Sequence, residues 1–414
     1  MRATRGRPGT ARLAGGTVVS VLLAASTLRA QARLLGERTI GAAMQYESIS
    51  FGGRGLLQSN FAGLDSSRIT RVQQFGLPVS AASLIGGGWR MDVTTLLARG
   101  VVTYTDGRAA GGMRTASLAG LSDLRVRASG RFLSDAVVMT IGVNAPTGLT
   151  ALNNTQFSAL RILAAPAMAL GSSPVGGGPS GTLGVVYGRQ ALGWGLAFGA
   201  SYEARGTYQP VAALTAGAPS ADFKPGGVIR SSLGADRVVG PHRLSLAFAA
   251  DVFADDKLRG ALASQQLTTV RLGPVLSADA QLQMSASGLR DLIVYSVYRW
   301  RAPFARDGQT VEQSAGHYLE TGARAVRSLR PGRDLVVSTD VRLHSGLGVD
   351  QGLPTTGVRS GGATVGVNLR RGMLSVQPYV RVQAGSLKQR AATLATGRQA
   401  FTGVNTGLVM VTKF

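Results

Sequence analysis

The sequence contains no cysteine, and this absence excludes two classes of site. A chain of 414 residues without cysteine has neither a disulfide framework nor a cysteine-ligated metal centre. Histidine is almost as scarce, with only His242, His317 and His344. Asp340 and His344 fall on one face of a predicted strand, but at that spacing they lie about 13 Å apart. With no Gly-x-Ser-x-Gly elbow, metal-ligand cluster or phosphate-binding loop in the sequence, we expect neither an enzyme nor a cofactor.

Charge is scarce and has mainly one sign. Charged residues make up 16% of the chain, and 44 basic residues face 21 acidic ones, for a net charge of +23. Four of the 44 are lysines, which leaves 40 arginines. The arginines alternate along predicted strands instead of clustering on a helix or among stacking aromatic residues. This pattern disfavours nucleic acid as a partner.

Long apolar runs are also missing after residue 32. No stretch there reaches the roughly 18 to 20 apolar residues that a spanning helix needs. Residues 136–160 carry no charge, but Pro146, Gly148 and Asn153 interrupt them. The sequence therefore argues against a helical membrane protein.

The first 32 residues have the three parts of a secretory signal peptide. A basic start is followed by an apolar run over residues 17–28, and Ala30-Gln31-Ala32 supplies the small residues that signal peptidase accepts. The alternative is a buried N-terminal helix. We expect cleavage after Ala32, so that residues 33–414 form the mature protein as one domain.

From about residue 40 onward, apolar and polar residues alternate with a period of two, which predicts β-strands. A representative segment sets Leu244, Leu246, Phe248, Ala250 and Val252 against Arg243, Ser245, Ala247, Ala249 and Asp251. Runs of about ten residues match the length of a tilted strand that crosses a bilayer, whereas globular strands average about five or six. The small and charged faces suit a wet lumen, and the apolar faces suit lipid.

Short turn signals alternate with longer Gly-rich or polar connections. The short signals lie at Gly86-Gly87-Gly88, Ser134-Asp135, Arg189-Gln190, Gly240-Pro241, Gly288, Pro331-Gly332 and Arg371-Gly372. Short turns on one side and long loops on the other are typical of an outer-membrane barrel. The predicted fold is an all-β transmembrane antiparallel β-barrel of the bacterial outer membrane, with sixteen strands, or fourteen if two weak segments do not pair.

The chain ends with an alternating segment, residues 405–414, whose last residue is Phe414. It resembles the C-terminal sorting strand by which the barrel-assembly machinery recognises bacterial outer-membrane barrels. The expected partners are therefore this machinery, through Phe414, and outer-membrane lipid.

Two short motifs carry a further resemblance. Gly120-Leu121-Ser122-Asp123-Leu124 is followed by Pro146-Thr147-Gly148. This pair is similar to the FadL-like outer-membrane channels of the type named for the MetA pathway of phenol degradation, in which a Gly-Leu-x-Asp-Leu strand start precedes a Pro-Thr-Gly at the mouth of a long outer loop. The resemblance implies passage of small hydrophobic or aromatic compounds through the outer membrane.

The long third loop, residues 146–180, contains an apolar stretch that water would not favour unless it packs on something. It is either a lid that lines the pore mouth and contacts apolar solutes, or a cap that packs on its neighbours. The candidate solute contacts are Phe157, Leu160, Ile162, Leu163, Met168 and Leu170.

Charged residues recur on the predicted inner faces of the strands. They create an anion-favouring field, or they form cross-strand Arg–carboxylate pairs that brace the lumen. The candidate lumen charges are Arg125, Arg127, Arg131, Glu203, Arg205, Arg230, Asp236, Arg243, Asp251, Asp340, Arg342 and Arg381. Three functions follow: a channel for small apolar solutes, a water-filled and weakly anion-preferring porin, or a structural barrel that transports nothing.

Overall fold

The computed structural model describes residues 38–53, 55–61, 64–106, 112–149, 151–165, 175–211, 221–259, 268–345, 355–389 and 397–414. The predicted signal peptide with its cleavage site lies outside the described residues, and so do Met168 and Leu170. Within the described residues, no helix is long and apolar enough to cross a membrane.

Most of the described chain belongs to one closed antiparallel sheet. Its strands are β1 (Thr39–Phe51), β2 (Leu56–Phe61), β3 (Leu64–Gly86), β4 (Trp89–Asp106), β5 (Arg114–Leu121), β6 (Leu124–Phe132), β7 (Val137–Ala145), β8 (Ser180–Ala191), β9 (Trp194–Arg205), β12 (Val228–Val239), β13 (His242–Phe253), β16 (Val275–Ala286), β17 (Leu289–Arg301), β20 (Gly316–Arg330), β21 (Arg333–Ser345), β22 (Thr355–Arg371), β23 (Leu374–Gln389) and β24 (Arg398–Lys413).

The eighteen strands form sixteen positions around the barrel, which we call staves, because two of the staves are each interrupted and consist of two strands. β1 and β2 both pair antiparallel with β3, and β5 and β6 both pair antiparallel with β4. The barrel closes where β1 pairs with β24, in a register that runs from Thr39 opposite Lys413 to Phe51 opposite Phe401. The predicted fold and the higher of the two predicted strand numbers are confirmed.

Seven short turns lie at one end of the barrel, together with the ends of β1 and β24. One differs in position from the prediction: the chain turns at Leu192-Gly193, not at Arg189-Gln190. Both turn residues have positive φ, 52° for Leu192 and 76° for Gly193. Tight hairpins with a right-handed twist need this geometry, which glycine supplies most readily. Strand alternation therefore continues through Arg189.

At the opposite end, three loops build a second antiparallel sheet that extends one side of the wall outward. Its short strands are β10 (Tyr208–Val211), β11 (Ala221–Lys224), β14 (Asp256–Arg259), β15 (Thr268–Arg271), β18 (Phe304–Arg306) and β19 (Gln309–Val311), followed by a 3₁₀ turn at Glu312–Ser314. The sequence did not predict this sheet. At its base, the Gly226 amide donates to the Asp256 carboxylate at 2.6 Å, and burial raises the pKa of Asp256 above its ordinary value.

The outward face of the barrel is apolar along the strands. Ile141, Leu183, Phe198 and Phe248 are each about half exposed on it, which lipid satisfies and water does not. Pairing closes the backbone hydrogen bonds around the whole circumference, as hydrocarbon requires. The chain is thus a transmembrane barrel of the bacterial outer membrane.

The two faces of β13 should respond differently to a charge. Arg at Leu246 or Phe248, which face outward, is expected to destabilise the barrel by roughly 2–4 kcal/mol at mid-bilayer depth. Arg at Ala247, which faces the lumen, should destabilise it much less. Urea titration of heat-modifiable migration measures both, and equal losses would contradict the assignment of faces.

Candidate functional site

The third long loop folds back into the barrel and carries one helix, α1 (Asn154–Leu163). Asn153 caps it: its side chain accepts from the Gln156 amide at 2.9 Å, and the Gln156 side chain accepts from the Asn153 amide at 3.0 Å. This reciprocal capping box fixes the start of the helix. The apolar residues then fall on one face of α1.

That apolar face packs on the inner wall formed by β4 and β5. Ile162 and Leu163 are 1% and 2% exposed. Gly100 on β4 makes room for the helix, because a Cβ there would clash with the Leu163 side chain. Around them the inner wall is apolar, in contrast with the wet inner face that strand alternation predicted. The buried cluster also includes Ile49, Phe51, Val72, Val102, Ala116, Leu118, Ala159, Val358, Leu387 and Phe401.

The predicted solute contacts therefore have different surroundings. Ile162 and Leu163 are buried against the wall. Phe157 and Leu160 are half-buried at the edge of the same cluster. Their contact with a solute stays a prediction.

The two motifs behind the family resemblance meet at the break between β5 and β6. Buried Asp123 accepts from the Gly148 amide at 3.1 Å through one carboxylate oxygen and from the Gly177 amide at 2.7 Å through the other. The Thr147 hydroxyl accepts from the Leu124 amide at 2.9 Å. Since Gly148 lies before α1 and Gly177 after it, one carboxylate holds both ends of the third loop. The sequence identified these residues but not this anchoring role.

Asp123→Ala should loosen the third loop without opening the barrel. It leaves two amides without their acceptor, at a cost of about 1–3 kcal/mol for a buried unpaired group. We expect faster proteolysis between residues 146 and 179 in folded barrels, followed on gels. Asp123→Asn keeps one acceptor oxygen, so its third loop should be cleaved at a rate between those of the original protein and Asp123→Ala. Equal cleavage of all three proteins would show that the anchor is unimportant.

On one side of the lumen, charged side chains form a continuous network. Asp340 on β21 accepts from Arg381 on β23 at 2.7 Å and lies 3.3 Å from Arg342. Arg342 is in turn 3.2 Å from Glu320, to which Tyr295 donates at 3.1 Å. Asp340 thus contacts two arginines.

The network continues to the seam of the barrel, where β1 pairs with β24. Gln383 on β23 donates to Glu47 on β1 at 3.2 Å, and Asn405 on β24 donates to the same carboxylate at 3.4 Å. Glu47 and Gln383 are both buried. Interlocked side chains therefore fill the inner face along β1 and β20–β24, which we call the crowded side.

The inner face along β6–β9, β12 and β13, which we call the open side, has smaller side chains and more solvent. Gly199, Ser232 and Ala247 line it. The Arg230 side chain is 56% exposed although it faces the lumen, whereas Arg381 on the crowded side is 11% exposed. The space next to the open side is therefore water-accessible.

Most predicted lumen charges on the open side are paired. The nearest N–O distances are 3.0 Å for Arg205 and Glu203, 2.6 Å for Arg230 and Asp251, 2.6 Å for Arg243 and Asp236, and 3.5 Å for Arg131 and Asp135. Each of these pairs is close to neutral as a unit.

Arg125 and Arg127 on β6 are different. Both are exposed, and neither forms an ion pair with any residue that the structure describes. Asp92, directly across from Arg127 on β4, is bonded instead by Arg90 at 3.1 Å. The excess positive charge of the open side therefore lies at β6.

No protein-family model matches the sequence, and no curated protein sequence is significantly similar to it. Among solved structures, OprB of Pseudomonas putida is 11% identical, with 93% of this chain and 96% of that chain covered and a TM-score of 0.44. A deletion mutant of the monoaromatic hydrocarbon channel TodX is 10% identical, with 91% of each chain covered and a TM-score of 0.45. OccK7 of Pseudomonas aeruginosa is 11% identical over 91% of this chain and 99% of that chain, with a TM-score of 0.38.

Proposed function

We propose that the protein is a water-filled outer-membrane channel for small hydrophilic solutes, with a preference for anions. The observation that carries this proposal is the contrast between the two sides of the lumen. Side chains interlock on the crowded side, and α1 packs on the wall at β4 and β5. The open side has small side chains and a half-exposed arginine, so a solute can pass there in contact with water.

Barrel size supports this proposal. Barrels of sixteen to eighteen strands enclose an aqueous channel, whereas eight-stranded barrels fill their interior with side chains. Because α1 packs through its apolar face, its exposed positions, Asn154, Thr155 and Arg161, are polar. A hydrophilic solute therefore finds polar groups on the helix as well as on the open side.

The anion preference follows from Arg125 and Arg127. The two charges of a close ion pair nearly cancel at distances beyond their separation, so the unpaired charges set the sign of the field that a passing ion meets. At about 0.1 M salt, charges within roughly 10 Å of the ion path remain effective. The unpaired charges on the open side that the structure describes are these two arginines.

A channel for small apolar or aromatic compounds is the second candidate. The half-buried rings and methyl groups of Phe157 and Leu160 favour it, since they leave apolar surface beside the lumen. The resemblance of the Asp123 and Thr147 motifs to FadL-like channels points the same way. The observed loop anchoring serves either solute class.

Planar-bilayer recording of the purified, refolded barrel tests the proposal. We expect stable ohmic steps and, under a potassium chloride gradient, a reversal potential that favours chloride. Bilayers that contain the folded protein but show no conductance would contradict the proposal of an aqueous channel. Growth on an aromatic carbon source, with and without the protein, would then separate an apolar-solute channel from a structural barrel.

A further inference from the structure

Acidic residues end well before the chain does. Asp350 is the last one, and the remaining residues carry eight basic side chains and no acidic side chain. They include all of β22, β23 and β24. Any basic residue on these strands must therefore find its counter-charge elsewhere.

Three of these basic residues lie together on the outward face, at the end of the strands away from the short turns. Leu387, Phe401 and Val358 are buried on the inner side, so their strand positions place Lys388, Arg398 and Arg359 on the outer side. All three of these basic residues are exposed. We call them the rim triad.

The register brings the rim triad close together. Lys388 is directly opposite Arg398 across β23 and β24, a position in which Cβ atoms are about 4.5–5.5 Å apart. Arg359 is opposite Ser386, two residues from Lys388, which gives a diagonal neighbour at about 7–8 Å. Like charges directly opposite each other destabilise a sheet. None of the three forms an ion pair with a residue that the structure describes.

The rim triad lies beyond the apolar outward rows of the same strands, toward the end away from the short turns. On β23 the row runs through Leu374, Val380 and Val382, which are 43%, 50% and 54% exposed, and Lys388 follows three outward positions later. Such rows face lipid chains. The small outward residues Ala384 and Ser386 separate Lys388 from this row, so the rim triad lies on the side of the lipid headgroups.

We propose that the rim triad binds a phosphorylated lipid headgroup of the outer leaflet. A phosphate between Lys388 and Arg398 would relieve their repulsion, and the planar guanidinium groups of Arg398 and Arg359 can each donate two parallel hydrogen bonds to it. The acyl chains of the same lipid would cover the apolar rows of β22–β24. Free phosphate supplies the negative charge but no acyl chains. A phosphorylated lipid is therefore the ligand that fits both the rim triad and the apolar rows. The proposal is independent of the solute.

Native mass spectrometry of the delipidated, folded barrel tests this assignment. The probes are lipid A with both phosphates, the same lipid after enzymatic dephosphorylation, and inorganic phosphate, all at matched concentration. We expect the first to bind and the other two to bind far more weakly. The triple variant R359Q/K388Q/R398Q should lose about a hundredfold in affinity, since each basic residue at an anionic membrane surface contributes about fivefold.

A matched control removes three outward arginines near the short turns, as R189Q/R237Q/R327Q. It changes the net charge equally and should bind lipid A like the original protein. Heat-modifiable migration confirms that both variants are folded. Equal loss in both variants would reduce the effect to overall charge, and equal binding of dephosphorylated lipid or free phosphate would overturn the assignment.

Discussion

Replacing Arg125 and Arg127 with glutamate is expected to convert an anion-preferring channel into a cation-preferring one. Both side chains are exposed on the lumen face of β6, with no ion-pair partner among the described residues. A unit charge about 4 Å from an ion in water changes its energy by about 1 kcal/mol, and the double substitution changes four units. Even after screening, we expect the chloride-to-potassium permeability ratio to fall by at least about tenfold.

The control for this experiment removes a charge pair instead of a charge. Arg230→Gln with Asp251→Asn deletes two opposite charges that lie 2.6 Å apart on the same side of the lumen. Net charge is unchanged, so the reversal potential should stay close to that of the original protein. If the two double variants shifted it equally, the selectivity would not reside at β6.

Releasing α1 from the wall should have the second large effect. Serine at Leu160, Ile162 and Leu163 removes apolar side chains whose burial contributes about 1.5–3 kcal/mol each when complete. Ile162 and Leu163 are almost completely buried, so their loss alone removes roughly 3 kcal/mol or more of the free energy that docks α1 on the wall. We expect higher and noisier single-channel conductance, with heat-modifiable migration unchanged because strand pairing does not depend on the loop.

The same triple variant separates the two solute classes. An aqueous channel conducts more and shows no selective loss for aromatic compounds. If the half-buried apolar edge of α1 contacts the solute, uptake of an aromatic compound falls instead. Thr155→Ser, on the exposed side of the same helix, keeps the hydroxyl and should leave both measurements unchanged. A normal conductance in the triple variant would show that α1 does not restrict the lumen.

The sequence was most informative where a property repeats at short range. Alternation placed Leu246 outward and Ala247 inward from neighbouring residues alone, and the short turns indicated sixteen strands, with fourteen left open. Contacts between distant segments were not accessible in this way. Leu163 looks the same in a sequence whether it meets a solute or the bare backbone of Gly100, 63 residues earlier.

Charge pairing and the outer sheet illustrate the same limit. Arg125 and Arg230 have equivalent positions in alternating strands, yet only Arg230 has a carboxylate in register. That distinction needs the pairing of β12 with β13. The outer sheet could not be predicted from the sequence, because strands such as Phe304–Arg306 are too short to show an alternation of apolar and polar residues.

The seam between β1 and β24 has a consequence for the order of folding. The other neighbouring staves are also consecutive in the chain, so each can pair as a hairpin soon after it is made. The seam joins Thr39 to Lys413, which lie near opposite ends of the described chain. Contacts of such separation form slowly because closing the loop costs entropy before any bond is gained. Until then β1 and β24 each expose a row of unpaired backbone groups that hydrocarbon does not tolerate. A sheet of sixteen staves that has not yet closed therefore has no stable place in the bilayer, and insertion and closure must occur as a single event.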